Sequence, residues 1–259
     1  MLPTPSTRHV PFDRVYEPAE DSFLLLDTLS SPPQTEFLHQ RFACRSDSGA
    51  CPLIVEIGTG SGVVLAFLTA HAQELFGRSD VLSLGTDISS FACSATRETV
   101  ANALQEADVA GLSKAVFLDA MDCDLGSALH PKSVDVLIFN PPYVPTEALP
   151  NISQKHEAYN VLTNGSTTFE QDSHLLELSY AGGKDGMEVT ERLLSELPTL
   201  LTRDRGVAYV LLCKQNRPDA VESRIRGWGA EWQVETVGRS GMKGGWEKLQ
   251  ILRIWRVSE

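Results

Sequence analysis

Asn140-Pro141-Pro142-Tyr143 is the stretch of this chain best suited to chemistry. An asparagine side-chain oxygen and a proline carbonyl are both acceptors. Side by side, they hold both hydrogens of a planar NH2 group and so orient its nitrogen. The Tyr143 ring beside them suits stacking on a flat substrate. None of these groups is a strong base. The chemistry they suit is attack by an oriented, neutral nitrogen on a reactive carbon, where orientation matters more than ionisation. Alone, the string reads equally well as a proline turn with an Asn cap and a core Tyr. A cofactor site nearby decides between the two.

Such a turn must be presented by a rigid element. Residues 134–139 form an apolar run rich in β-branched and aromatic types, the pattern of a buried strand. Two prolines end it, because neither can donate to a ladder, and Asn140 before a proline is pushed towards an extended backbone. Ligands of open α/β sheets bind at this end of the strands.

A cofactor site is readable upstream. A strand at 53–57 runs into Gly58-Thr59-Gly60-Ser61-Gly62 and an apolar helix from Val63, the opening of a nucleotide-binding βαβ unit. No Gly-Lys-Ser/Thr follows, so the loop is not a P-loop. Glu56 suits hydrogen bonds from a ligand or from loop amides and sits poorly against a diphosphate, which favours a ligand without phosphates. The next strand, 81–86, ends in Asp87-Ile88-Ser89, with Asp87 placed to accept ribose hydroxyls. The plainer role for Asp87 or Ser89 is to cap the following helix. A third strand at 115–118 leads into Asp119-Ala120-Met121-Asp122-Cys123-Asp124-Leu125. One of these acids is expected at the adenine amino group, and the residues alone leave open which.

The rest of the chain supplies a frame. Residues 1–12 read as a flexible leader and 13–259 as one domain, with insertions near 30–51 and 150–178. A helix is expected from about Pro18, packed through residues 23–26, with Tyr16 and Ser22 near its start in capping and packing roles. One short helix is expected around 35–42. Residues 144–177 read as polar and irregular, a lid or a disordered insertion with a turn at 164–168. Leu193, Leu197, Leu200 and Leu201 share a helical face, and Pro198 is expected to kink or split that helix. Strands at 207–212, 231–237 and 249–255, with a helix at 218–228 and a hairpin-like connection at 238–245, complete the alternation. The pattern predicts a doubly wound α/β domain with a terminal β-hairpin.

Composition narrows the partners. Among 259 residues the formal net charge is −12, which lacks the electrostatic footprint of a general DNA binder. The five cysteines show no Cys-x-x-Cys pair, and the six histidines are dispersed. They read as reduced thiols in an intracellular protein without a zinc site. With no apolar signal core and no membrane-spanning run, the expectation is a soluble cytoplasmic protein, compatible also with the nucleus.

Taken together, Glu56 through Gly62, Asp87 and Asn140 through Tyr143 resemble the class I S-adenosylmethionine-dependent methyltransferases of the HemK-like type. Tyr16-Glu17-Pro18-Ala19-Glu20-Asp21-Ser22 and Ala181-Gly182-Gly183-Lys184-Asp185-Gly186 narrow the resemblance to the eukaryotic release-factor glutamine methyltransferases. It covers most of residues 13–257. It implies a Rossmann-like, seven-stranded, mostly parallel sheet with helices on both faces. It also implies methylation of the glutamine nitrogen in the Gly-Gly-Gln motif of the class I termination factor, and a small zinc-binding activator subunit. By the same resemblance, Glu56, Gly58, Thr59, Gly60, Asp87, Ile88, Asp124, Leu125 and Asn140 border the cofactor. Tyr16 and Ser22 close over it, Asn140 and the Pro141 carbonyl hold the glutamine amide, and Pro142 and Tyr143 shape its slot. An apolar strip of Ile88, Phe91 and Ala92 is the surface expected to meet the activator.

Three rivals remain in view. Related Asn-Pro-Pro-Tyr enzymes modify adenine amino groups in nucleic acid, and lysine, as in histones, is a further candidate for the same pocket. A NAD-dependent dehydrogenase shares the glycine loop and the acid but leaves Asn-Pro-Pro-Tyr without a purpose. A non-enzymatic scaffold leaves the intact loop, acid and amide unexplained.

Overall fold

Alternation along the central strands sorts their side chains into two apolar layers. In the computed structural model, which describes residues 2–43, 50–107, 114–151, 169–241 and 248–257, Ile54, Val136, Ile138, Tyr209 and Leu211 face one layer. Val55, Ile57, Leu137, Phe139, Val210 and Leu212 face the other. The strands are β1 (Leu53–Ile57), β2 (Leu82–Asp87), β3 (Val116–Asp122), β4 (Val136–Phe139), β5 (Val207–Cys213), β6 (Trp232–Arg239) and β7 (Leu249–Arg256). They form one seven-stranded sheet in the order β3-β2-β1-β4-β5-β7-β6. β1 to β5 are parallel, and β7 pairs antiparallel with both β5 and β6.

The first layer packs against α1 (Glu20–Leu29), α2 (Pro32–Phe42), α3 (Val63–Ala70), α4 (Ala72–Phe76) and α5 (Ser90–Ala107). The second packs against α7 (Glu188–Leu200) and α8 (Pro218–Arg226) through Leu193, Leu197, Leu200, Val221 and Ile225. α6 (Phe169–Tyr180) lies between β4 and α7 in the chain. This is the predicted doubly wound sheet. The order reverses at β1, with β2 on one side and β4 on the other, so the topological switch point falls between the glycine loop and the Asn-Pro-Pro-Tyr turn.

Several expectations need correction. The leader makes specific contacts with the domain. Val10 and Val15 are buried, His9 Nε2 lies 3.0 Å from Thr99 Oγ1, and the Pro3 carbonyl accepts from His71 Nε2 at 2.9 Å. α1 starts at Glu20, two residues after Pro18, and buries Leu25 and Leu26 while Phe23 faces out. α2 begins at Pro32, because prolines in a first turn lack only an amide that has no intrahelical partner anyway. β3 continues to Asp122, so Asp119 lies inside a strand. The helix α6 replaces part of the expected irregular segment. Its pattern was weak because only Leu175 is fully buried. α7 runs through Pro198, which falls in its last turn. The predicted turn at 164–168, residues 242–245 of the 238–245 connection and Cys44 lie outside the described residues. Among the described residues, no helix is long and apolar enough to cross a membrane.

The N-terminal ends of the central strands, opposite the site, are tied together by Asp135. Its buried carboxylate takes a two-pronged contact from Arg205 (both 2.8 Å), the Leu53 amide (2.9 Å) and the Thr202 hydroxyl (2.8 Å). Removing one partner of such a pair leaves a buried charge behind. Arg205→Met is therefore expected to lower unfolding free energy by about 2–4 kcal/mol, measured by urea denaturation. A loss under about 0.5 kcal/mol, the usual size for a surface substitution, would contradict this role.

Candidate active site

At the C-terminal ends of β1, β2 and β4 lies a cavity of about 310 Å3, within the range of small-molecule sites. Every predicted site residue lines it: Tyr16, Ser22, Glu56, Gly58, Thr59, Gly60, Asp87, Ile88, Asp124, Leu125, Asn140, Pro141, Pro142 and Tyr143. Of the three candidate acids, only Asp124 reaches the wall. Asp119 is exposed and paired with Arg97 at 2.6 Å, which holds its carboxyl below the usual range, and Asp122 is exposed.

The glycine loop connects β1 to α3 across the floor. Gly62 has a left-handed φ of 76°, and a Cβ there would clash with the Thr96 backbone, so loop and α5 touch directly. Glu56 is buried and accepts the Leu65 amide at 2.9 Å. It caps α3 from a neighbouring strand, satisfying a first-turn amide with no intrahelical partner. Burial pushes its carboxyl well above the ordinary glutamate range, and Asp87 nearby adds to this. Asp87 accepts the Gly60 amide at 3.0 Å and the Ser89 amide at 2.8 Å, bracing loop and β2 together. The Ser89 hydroxyl accepts the Ala92 amide at 3.4 Å. Capping and cavity lining thus coexist at this corner.

The Asn-Pro-Pro-Tyr turn is clamped from behind. Asn216 donates to the carbonyls of Tyr143 (3.1 Å), Asp185 (3.0 Å) and Gly186 (3.2 Å), and accepts the Cys213 amide at 2.8 Å. A Cβ on Gly182 would overlap the Pro142 carbonyl oxygen, and one on Gly186 would overlap that of Tyr143. The 181–186 segment is the close backing of the turn. At the front, Asn140 Nδ2 donates to Asp21 Oδ2 at 3.0 Å. Its Oδ1 is buried and has no hydrogen-bond partner among the described residues, and the Thr59 hydroxyl is in the same position.

Sequence reasoning missed Asp21, Asn216, Arg14, Arg192 and the α6 wall of Leu175, Leu178 and Tyr180. Asp21 was hidden among acids that suit a helix start; its burial, at 3% exposure, had no local signal. Arg192 pairs with Asp124, and Arg14 with Asp172 on α6. Three carboxylates (Asp21, Asp87, Asp124), the Glu56 carboxyl that burial favours in its neutral form, and two guanidiniums (Arg14, Arg192) therefore line the cavity. This balance suits a cationic ligand and opposes a diphosphate. With two buried acceptors left open and glycines flooring the site, the residues fit S-adenosylmethionine and fit NAD poorly. The Ile88, Phe91 and Ala92 strip is not a free docking surface. Ile88 and Ala92 face the cavity, and Phe91 packs on Val10 and Val15 under the Arg14 guanidinium at 4.9 Å.

Two outcomes are expected from this geometry. Gly186→Ala displaces the turn, destabilising by about 1 kcal/mol or more and lowering turnover far more than cofactor affinity; equal losses in both would contradict it. The raised Glu56 carboxyl favours the protonated folded state, so stability is greatest below the ordinary glutamate range and is lost as pH rises towards the raised value. Glu56→Gln keeps an acceptor for Leu65 and removes that dependence. The stability gap between variant and wild type, followed by ligand-free thermal unfolding, is expected to widen in favour of the variant with rising pH. A constant gap would contradict it.

No protein-family model matches the chain. The Schizosaccharomyces pombe "eRF1 methyltransferase catalytic subunit mtq2" is 32% identical over 260 residues, covering 99% of this chain and 97% of that one. The Homo sapiens "Methyltransferase HEMK2" is 33% identical over 256 residues, covering 96% and 95%. A Methanocaldococcus jannaschii "putative protein N5-glutamine methyltransferase" is 27% identical over 94% of this chain and 92% of its own. Among solved structures, the DNA-bound restriction-modification enzyme LlaBIII matches with a TM-score of 0.51 at 12% identity, over 95% of this chain and 19% of that one, a likeness of fold alone. The glycine loop, the acid after β2 and the Asn-Pro-Pro-Tyr turn meet in one cavity, and identity to the yeast and human proteins extends over nearly the full length, so this chain belongs to the HemK-like family of release-factor glutamine methyltransferases.

Proposed function

We propose that the protein methylates the side-chain nitrogen of the glutamine in the Gly-Gly-Gln motif of the class I translation termination factor. The observation that carries this reading is the buried Asn140 Oδ1 at the end of β4, which has no partner among the described residues. It is an acceptor awaiting a donor, and a glutamine NH2 is such a donor. The Pro141 carbonyl, one residue on, takes the second hydrogen, and Tyr143 flanks the slot. Holding both hydrogens counters the poor nucleophilicity of an amide nitrogen and aligns it for attack.

S-adenosylmethionine supplies a methyl group on a positively charged sulfur. Asp87 takes its ribose, Asp124 and Leu125 its adenine, and Glu56, Gly58, Thr59 and Gly60 border the rest. Tyr16 and Ser22 close the site from the leader side. Burial pushes the Cys123 thiol, at the adenine end, above its ordinary range, so it serves as neutral wall. No general base is required, since the proton can leave after transfer.

The activator subunit belongs to the same reading. The fission-yeast relative is named as a catalytic subunit, which supports a partner. The edge strand β3 exposes Val116 at 49% and Leu118 at 50%, an apolar and unpaired sheet edge that supports a docking site. A termination factor as substrate supports a cytoplasmic location.

The test is methyl transfer from labelled S-adenosylmethionine, with the chain co-expressed with its activator. The substrates are the termination factor, its Gly-Gly-Gln to Gly-Gly-Ala variant, histone and DNA. Label is expected on the intact factor alone and is expected to fall at least about 100-fold in Asn140→Ala, the scale for losing one preorganised polar contact. Label on histone or DNA in place of the factor would overturn the substrate assignment.

A further inference from the structure

Asn140 has two faces that differ only in which atom points where, and turning the amide over would convert its acceptor into a donor. We infer that Asp21 is the positioning residue that fixes this choice, and that its carboxylate keeps the Asn140 oxygen turned into the substrate slot. The inference rests on the glutamine reading above and adds to it the residue on which the slot depends.

The case is one of hydrogen inventory. Asp21 is 3% exposed and lies in the first turn of α1. Its Oδ1 accepts the Ser22 amide at 2.6 Å and the Ser22 hydroxyl at 3.2 Å. Its Oδ2 lies 3.0 Å from Asn140 Nδ2, across 119 residues of sequence. A carboxylate has no hydrogen to give, so only the amino side of Asn140 can face it. The oxygen is then left on the opposite side, where it is buried and has no partner among the described residues. A backbone amide can only donate, so Ser22 fixes Oδ1 as an acceptor and leaves Oδ2 for Asn140. The leader-side helix thus sets the polarity of the turn at the end of β4 by direct contact.

Asp21→Asn makes this testable with little change of volume. The Ser22 amide still demands an acceptor, so the new carboxamide must place its oxygen there and its NH2 against Asn140. Asn140 must then turn over to accept, which presents its own NH2 to the slot, donor against donor with the substrate amide. A second substitution, Asn140→Asp in the same chain, restores an oxygen on both sides. It accepts from the new amide at position 21 with one oxygen and offers the other to the slot.

The experiment compares wild type, Asp21→Asn, Asn140→Asp and the double variant, each as the full chain in the preparation that supports wild-type transfer. Thermal unfolding and binding of S-adenosylhomocysteine are measured alongside. Asp21→Asn is expected to lose turnover at least about 100-fold with cofactor binding retained. The double variant is expected to recover at least about tenfold over each single variant. An Asp21→Asn enzyme as active as wild type, or a double variant no better than the singles, would overturn the inference. Orientation is read without turnover by exchange of the Asn140 side-chain NH2 protons in NMR, assigned by their absence in Asn140→Asp. They are expected to exchange slowly in wild type and faster in Asp21→Asn; unchanged exchange would overturn the positioning role. A wild type that methylates no glutamine would instead count against the proposed function and leaves the exchange measurement to decide the role of Asp21.

Discussion

A buried polar atom without a partner costs about 1–3 kcal/mol, and among the described residues the Asn140 side-chain oxygen is one such atom, facing the cavity. The rest of the molecule keeps it in place. β4 delivers it from the middle of the sheet, and two prolines stiffen the turn that carries it. Asn216 and the 181–186 loop back that turn, and Asp21 takes the amide nitrogen so that the oxygen alone is open. None of these contacts is strong by itself. Together they leave one acceptor in a fixed place, as catalysis by orientation requires.

The electrostatics of the cavity follow the same logic. Carboxylates outnumber guanidiniums along its wall, and both guanidiniums are engaged by acids. A cationic sulfonium is welcome in such a site, while a diphosphate is opposed. Glu56, held above its ordinary range by burial, contributes an acceptor for α3 and fills a place where a phosphate-binding loop has none. The overall negative charge of the chain points the same way, towards a protein substrate and away from the phosphate backbone of nucleic acid.

Much of this was legible in the residues. Strand patterns at β1, β2, β4 and β5 are short apolar runs closed by loop signals, and all four strands form there. The glycine loop, Asp87 and Asn140 announce themselves because special backbone or special chemistry restricts their types. Asp21 and Asn216 did not, since their meaning lies in partners 119 and 73 residues away. The contacts of the leader were not legible because it carries no regular structure; Val10, Val15 and His9 meet α5 without any period. α6 was missed because an amphipathic helix at a cavity rim buries one residue deeply and leaves the others polar. Among Asp119, Asp122 and Asp124, only the fold shows which one lines the cavity: Asp124 does, while Asp119 is turned outward to Arg97.

The central claim is that the slot holds a planar NH2 between two acceptors. The measurement that tests it most directly is a crystal structure of the protein with S-adenosylhomocysteine and a peptide containing Gly-Gly-Gln. The account predicts the glutamine nitrogen within hydrogen-bond distance of both Asn140 Oδ1 and the Pro141 carbonyl, facing the cofactor sulfur. A glutamine seated with its oxygen toward Asn140, or outside the cavity altogether, would contradict it.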